Sequence, residues 1–135
     1  MLIMLEDDLD RIERFTTVLA EQQILYEYAR TAQDFIQLYR RQPAPPLLIA
    51  LDHDLFTDND GDPDPGDGRD VATFLATQRP LAPVLIHSTN ALAADSMVYT
   101  LEEAGWMVDR IAPIGLDWIE SYWAPTVMEV IRRLR

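Results

Sequence analysis

The sequence predicts an α/β domain: a five-stranded parallel sheet with helices on both faces. Three observations carry this. Short apolar runs alternate with amphipathic helical patterns in the order β-α-β-α-β-α-β-α-β-α, and such alternation implies crossover connections between parallel strands. The strongest runs are apolar at every position, as expected of strands covered on both faces. The length of 135 residues, 48% apolar and 25% charged, suits one domain over 1–135 with no linker or repeat. Folding at this size buries roughly two-thirds of the unfolded chain's surface.

Leu2-Ile3-Met4-Leu5 reads as a buried strand that stops at Glu6-Asp7-Asp8. A helix follows with Ile12, Phe15, Val18 and Leu19 on one face, and with Asp8 and Asp10 in or near its first turn, where acids are favoured. Residues 24–29 are strand-like. Thr31 suits the N-cap of a helix carrying Phe35, Leu38 and Tyr39, which the proline-rich stretch 42–46 ends. Residues 47–51 form the most apolar strand and end at Asp52. A loop rich in Asp, Gly and Pro covers 56–68, and a helix then carries Val71, Phe74 and Leu75. Val84-Leu85-Ile86 leads into His87-Ser88. Asn90 or Thr89 caps a helix holding Leu92, Met97, Val98 and Leu101, which stops at Gly105. Residues 106–111 make a weaker last strand, and 113–124 follow no clear period. Pro125 suits the first turn of a final helix with Val127, Val130, Ile131 and Leu134 inward, and Arg132, Arg133 and Arg135 near its C-terminus.

Composition narrows the function. Without cysteine there is neither disulfide nor thiolate metal site. No basic-then-apolar leader is visible and no apolar run approaches about 18 residues, so the expected location is cytoplasmic, with no membrane partner. The net charge of −12 argues against duplex nucleic acid, which needs many Lys/Arg–phosphate contacts. It leaves room for a nucleotide or RNA end entering a cation-bearing pocket. The acid is concentrated: Asp52, Asp54, Asp58, Asp60, Asp62, Asp64, Asp67 and Asp70 lie close together.

In an open parallel sheet, ligands bind beyond the carboxyl ends of the strands. Those ends here are Glu6-Asp7-Asp8, Asp52-His53-Asp54 and His87-Ser88, and they hold both histidines of the chain. Histidine changes charge near neutral pH, so the convergence points to chemistry or to a cation. Blander readings stand beside it. Strand side chains alternate, so His53 and His87 could turn under the flanking helices while Asp52 and Ser88 face the site. Glu6, Asp7 and Asp8 could be solvated acids at a helix start, and Ser88 and Asn90 a strand end and a cap. The stretch 58–62 fails the EF-hand pattern in both registers, because position six is Pro63 or Pro65, and it reads as a solvated acidic loop. Trp106, Trp118 and Trp123 read as packing residues. Arg69 either clamps a phosphate or pairs with Asp67 or Asp70.

Over nearly its whole length the chain resembles a receiver domain of response regulators. Glu6-Asp7 matches the acids that hold Mg²⁺ there, Asp52 the phosphoacceptor, Ser88 the hydroxyl residue after the fourth strand, and Asp54 the position whose carbonyl is a further metal ligand. The resemblance implies a flavodoxin-like sheet in the order 2-1-3-4-5. One feature departs from it: receivers carry a Lys before a Pro after the fifth strand. This chain has Ile111-Ala112-Pro113 there and no Lys anywhere. Leu51-Asp52-His53-Asp54-Leu55 together with His87-Ser88-Thr89-Asn90 is more similar to a divergent branch, the cyclic-phosphate-processing receiver-like domains.

That resemblance implies a hydrolase acting on cyclic phosphates, at RNA or nucleotide ends. Opening such a ring needs charge neutralisation, an activated water and a proton for the leaving oxygen. Glu6, Asp7, Asp8, Asp52 and Asp54 are the expected ligands of Mg²⁺ or Mn²⁺. His53 and His87 are the expected base and acid, in either order, with both rings turned toward the acids. Ser88, Asn90 and Arg69 are expected on the phosphate, and Asp52 could instead act as a nucleophile. The alternative is a receiver module, non-catalytic or atypically phosphorylated, that binds a partner protein.

Overall fold

The computed structural model describes residues 1–134, and Arg135 lies outside them. Five strands form one sheet: β1 (Leu2–Leu5), β2 (Tyr26–Ala29), β3 (Leu48–Leu51), β4 (Val84–His87) and β5 (Val108–Ile111). All pairings are parallel, and the order is β2-β1-β3-β4-β5, as the resemblance implies. The helices are α1 (Leu9–Glu21), α2 (Ala32–Arg41), α3 (Gly68–Ala76), α4 (Ala91–Glu103) and α5 (Ala124–Arg133).

Side-chain alternation sorts the core into two layers. Ile3, Leu5, Ile49, Leu51, Val84 and Ile86 face Phe35, Leu38, Val71, Leu75, Met97 and Leu101 from α2, α3 and α4. Leu2, Met4, Leu48, Ala50 and Leu85 face Phe15 and Leu19 of α1, and Val127, Val130 and Ile131 of α5. The three central strands are buried at every residue, which is why Leu2–Leu5, Leu48–Leu51 and residues 84–86 read as unbroken apolar runs. The edge strands β2 and β5 each expose two middle residues, which is why they read as weaker.

Helix starts follow local chemistry. The side chains of Asp8, Thr31, Asp67 and Asn90 accept from the N–H groups of Arg11, Asp34, Asp70 and Ala93, capping α1 to α4. The unassigned stretch before the last helix contains a π-helical turn, Ile119–Trp123, that runs straight into α5. It buries Trp118, Ile119 and Trp123 against Phe15. Trp106 is buried too and donates to the Leu75 carbonyl, so all three tryptophans pack in the core.

Candidate functional site

The site starts from strand register. Leu5 pairs with Leu51, and Leu51 with Ile86. The next residue on each strand is Glu6, Asp52 and His87, so these three stand level across β1, β3 and β4. They follow Met4, Ala50 and Leu85 on the α1/α5 face. Glu6 and His87 are wholly buried and Asp52 nearly so. Their ligand atoms lie within 4.8 Å of one another. The reading that pairs Asp52 with Ser88 on one face fails on register, because Asp52 is level with His87, one residue earlier.

His87 Nε2 is 3.2 Å from Glu6 Oε1. Its ring packs against Phe15 and Trp118 at centroid distances of 5.0 and 5.8 Å. The other glutamate oxygen accepts the N–H groups of Asp7 and Asp8, the turn leading into α1. Asp52 Oδ1 accepts the His53 N–H at 2.7 Å. The guanidinium of Arg11 stands 3.7 Å from Glu6 and 3.8 Å from Asp52, and lies over the Trp118 ring. Arg11 is the residue that sequence reading missed. Its signal was position: with Asp8 as the cap, Arg11 occupies the first turn of α1, directly above the end of β1. Arg69, the expected basic residue, is exposed and makes no ion pair among the described residues.

Burial dominates the electrostatics. It pushes the Glu6 carboxyl up to about 7, against the lowering effects of the Asp52 hydrogen bond, Arg11 and two backbone N–H groups. It raises Asp52 to about 7 as well, with Glu6 adding to the rise and His87 opposing it. Burial also holds His87 down at about 4 despite the attraction of Asp52. Near neutral pH the row is therefore a carboxyl pair that still retains proton, beside a neutral imidazole. Two carboxylates and an imidazole so close together are a donor set for a divalent cation, which would take the protons' place.

The remaining expected residues divide. Asp7 is buried, and its Oδ2 accepts the Phe56 N–H at 2.7 Å, tying the site to the start of the Asp-rich loop. Arg30 donates to the Asp7 carbonyl and to both oxygens of Asp58, fixing the same loop. Asp8 is exposed and spends its side chain on the α1 cap. Asp54 Oδ1 accepts from His53 Nδ1 at 2.7 Å. The expectation that both imidazoles turn to one acid cluster holds for His87 only. His53 follows Leu51 on the opposite face of β3, between Asp54 and Asp67. Ser88 is buried and accepts the Asn90 N–H, while Asn90 Oδ1 caps α4. The Ser88 hydroxyl and the Asn90 amide keep donors to spare.

The family profile described as Cyclic-phosphate processing Receiver domain matches residues 1–103. That span contains Glu6, Arg11, Asp52, His53 and His87. No curated protein matches the sequence. Similar solved structures include the non-phosphorylated HemR receiver domain from Leptospira biflexa, at 22% identity and TM-score 0.72, covering 96% of this chain and 92% of that one. The receiver domain of a Francisella response regulator gives 18% identity and TM-score 0.71, covering 99% and 98%. The receiver domain of NtrX from Brucella abortus gives 17% and 0.67, covering 98% and 96%. At these identities the likeness shows the receiver fold.

Proposed function

This chain belongs to the family of cyclic-phosphate processing receiver domains, and from that premise we propose a metal-dependent hydrolase of cyclic phosphates. The substrate class is the 2′,3′-cyclic phosphate at a nucleotide or RNA end. The observation that carries the reading is the buried row of Glu6, Asp52 and His87, drawn from three strands into ligand distance. Glu6 and Asp52 would hold Mg²⁺ or Mn²⁺, with His87 as the third donor. When bound, such an ion supplies charge neutralisation and activation of water.

The chain's own groups do the rest. His87 stays neutral at physiological pH, as an imidazole donor to an ion must be, and does not serve as an imidazolium acid. With an ion in place the protons of Glu6 and Asp52 are displaced, so the leaving oxygen would take its proton from the attacking water, whose hydroxide part opens the ring. Arg11 stands where a phosphoryl oxygen approaching Asp52 meets a guanidinium, and so offers the positive charge that the absent lysine would bring. Ser88, Asn90 and the N–H groups opening α4 donate to the remaining oxygens. His53, engaged by Asp54 and Asp67, takes no direct part in proton transfer.

The test is turnover of 2′,3′-cyclic AMP by the purified protein with Mg²⁺ or Mn²⁺. Ring opening is expected, lost on chelation and reduced at least about 100-fold in Asp52→Asn and His87→Gln. A wild-type protein with no turnover under either ion overturns the reading. The receiver-type neighbours favour a second reading, a module that binds a partner protein without chemistry. Under that reading His87→Gln would leave partner binding intact. An aspartyl-phosphate at Asp52 comes last, since no lysine stabilises it.

A further inference from the structure

We propose that His53 and Asp67 form a second metal site, for a borderline divalent ion such as Zn²⁺, that fastens the end of the Asp-rich loop to the end of β3. It is independent of the catalytic reading, which uses neither residue. His53 Nδ1 lies 2.7 Å from Asp54 Oδ1. A contact this short is a charge-assisted hydrogen bond, N–H to carboxylate. It places a proton on Nδ1, and in the neutral ring the lone pair then lies on Nε2.

That lone pair has no hydrogen-bond partner and is shut off from water, on a side chain only 8% exposed. What it faces is another acceptor. Asp67 Oδ2 is 3.6 Å from Nε2, beyond hydrogen-bond length. The Asp67 carboxylate is not free to turn away, because Oδ1 accepts the Asp70 N–H in the cap of α3. Two acceptors 3.6 Å apart, one of them shut off from water, call for a cation between them. An ion held at about 2.0–2.1 Å by a tetrahedral imidazole–carboxylate pair separates the two ligand atoms by roughly 3.4 Å, close to the gap observed.

The surroundings suit such an ion. Asp54 behind His53 completes the carboxylate–histidine–metal arrangement that fixes tautomer and ring orientation. The Asp67 side chain is one-third exposed, which gives an entry path and room for water to complete the coordination. A nitrogen and an oxygen donor together favour a zinc-like ion over Mg²⁺ or Ca²⁺. The site also has a structural consequence. The loop is already tied at its start by Asp7–Phe56 and Arg30–Asp58, and an ion on Asp67 would tie its end.

The experiment is a Zn²⁺ titration of the ¹⁵N-labelled full chain in the Asp52→Asn background, which breaks the other donor set. The readout is the imidazole nitrogen resonances. Only two histidines are present, and His53→Gln assigns them. Expected before zinc is a His53 ring protonated on Nδ1 alone; one equivalent of Zn²⁺ then shifts Nε2. Asp67→Asn, which keeps the α3 cap because Asn caps as well as Asp, weakens zinc binding at least about tenfold. Asp54→Asn weakens it about 10–100-fold. A His53 ring protonated on both nitrogens and unmoved by zinc overturns the proposal, as does equal zinc affinity in Asp67→Asn. Either failure leaves cyclic-phosphate turnover untouched as a separate test.

Discussion

At Glu6 and Asp52 the loss of hydration outweighs everything the neighbours return, and the consequence is a measurable pH dependence. Both carboxyls stand near 7 in the folded chain, against ordinary values of 4.5 and 3.8. Across that window the folded protein holds protons that the unfolded chain has released, so the pair lowers stability as pH rises to about 7. His87 works the other way. Its fall from 6.5 to about 4 means the unfolded chain binds its proton first, so its contribution grows as pH rises from about 4 to 6.5. Two carboxyls exceed one imidazole, so the urea midpoint of the metal-free protein is expected to fall between pH 5.5 and 7.5. Glu6→Gln and Asp52→Asn should each flatten that fall, and an unaltered slope in both would contradict the assignment. Gly68 makes a different kind of demand at this scale. A Cβ there would sit 2.2 Å from the Asp52 carbonyl oxygen and 2.8 Å from the His53 Cα, so the start of α3 rests directly on the floor of both sites. Gly68→Ala is expected to cost at least about 1–3 kcal/mol in urea unfolding through overpacking. A loss below 0.5 kcal/mol, within the range of about ±0.5 typical of neutral surface changes, would show that α3 does not press on β3 in this way.

Elements whose cause is local were legible in the sequence, and those whose cause is tertiary were not. β1, β3 and β4 announce themselves because burial on both faces leaves them apolar at every position but His87, the last of β4. The caps at Thr31 and Asn90 are readable, Asn90 with Thr89 as the alternative, because each needs only a short polar side chain before a helical pattern, whereas Asp8 read only as an acid in or near the first turn. Asn90→Ala is accordingly expected to cost about 1 kcal/mol by loss of the α4 cap, with the Mg²⁺ affinity at Glu6 and Asp52 unchanged; thermal melts with and without Mg²⁺ check both halves. The site was legible as a list of residues and not as an arrangement. Alternation within one strand cannot say that Asp52 stands level with His87, because that depends on how β3 and β4 align. Nor does it say that His53 therefore goes to the opposite face. Arg11 escaped because its role depends on the rotation of α1 over β1, and Arg69 was chosen on sequence proximity to acids it does not pair with. The turn at Ile119–Trp123 was unreadable because its π-helical winding breaks the 3.6-residue period; its placement is settled by Trp118 and Trp123 packing on Phe15.

Over the whole molecule, a net charge of −12 makes cations the natural counterpart of the carboxyl ends of the sheet. A divalent ion at Glu6 and Asp52 must displace their protons, so binding and deprotonation are linked. Mg²⁺ at fixed concentration is expected to raise the melting temperature more at pH 8 than at pH 5.5. Glu6→Gln should remove most of that difference, and a wild-type Mg²⁺ effect independent of pH would count against the linkage. The central claim is spatial: three strands deliver Glu6, Asp52 and His87 to one cation. The most direct measurement is the anomalous difference density of a crystal grown with Mn²⁺ and a 2′,3′-cyclic nucleotide. The account predicts a peak between the carboxylates of Glu6 and Asp52 beside the His87 ring, with the cyclic phosphate next to it and within reach of Arg11. A peak confined to the acidic loop of residues 56–67, or none between those two carboxylates, would contradict it.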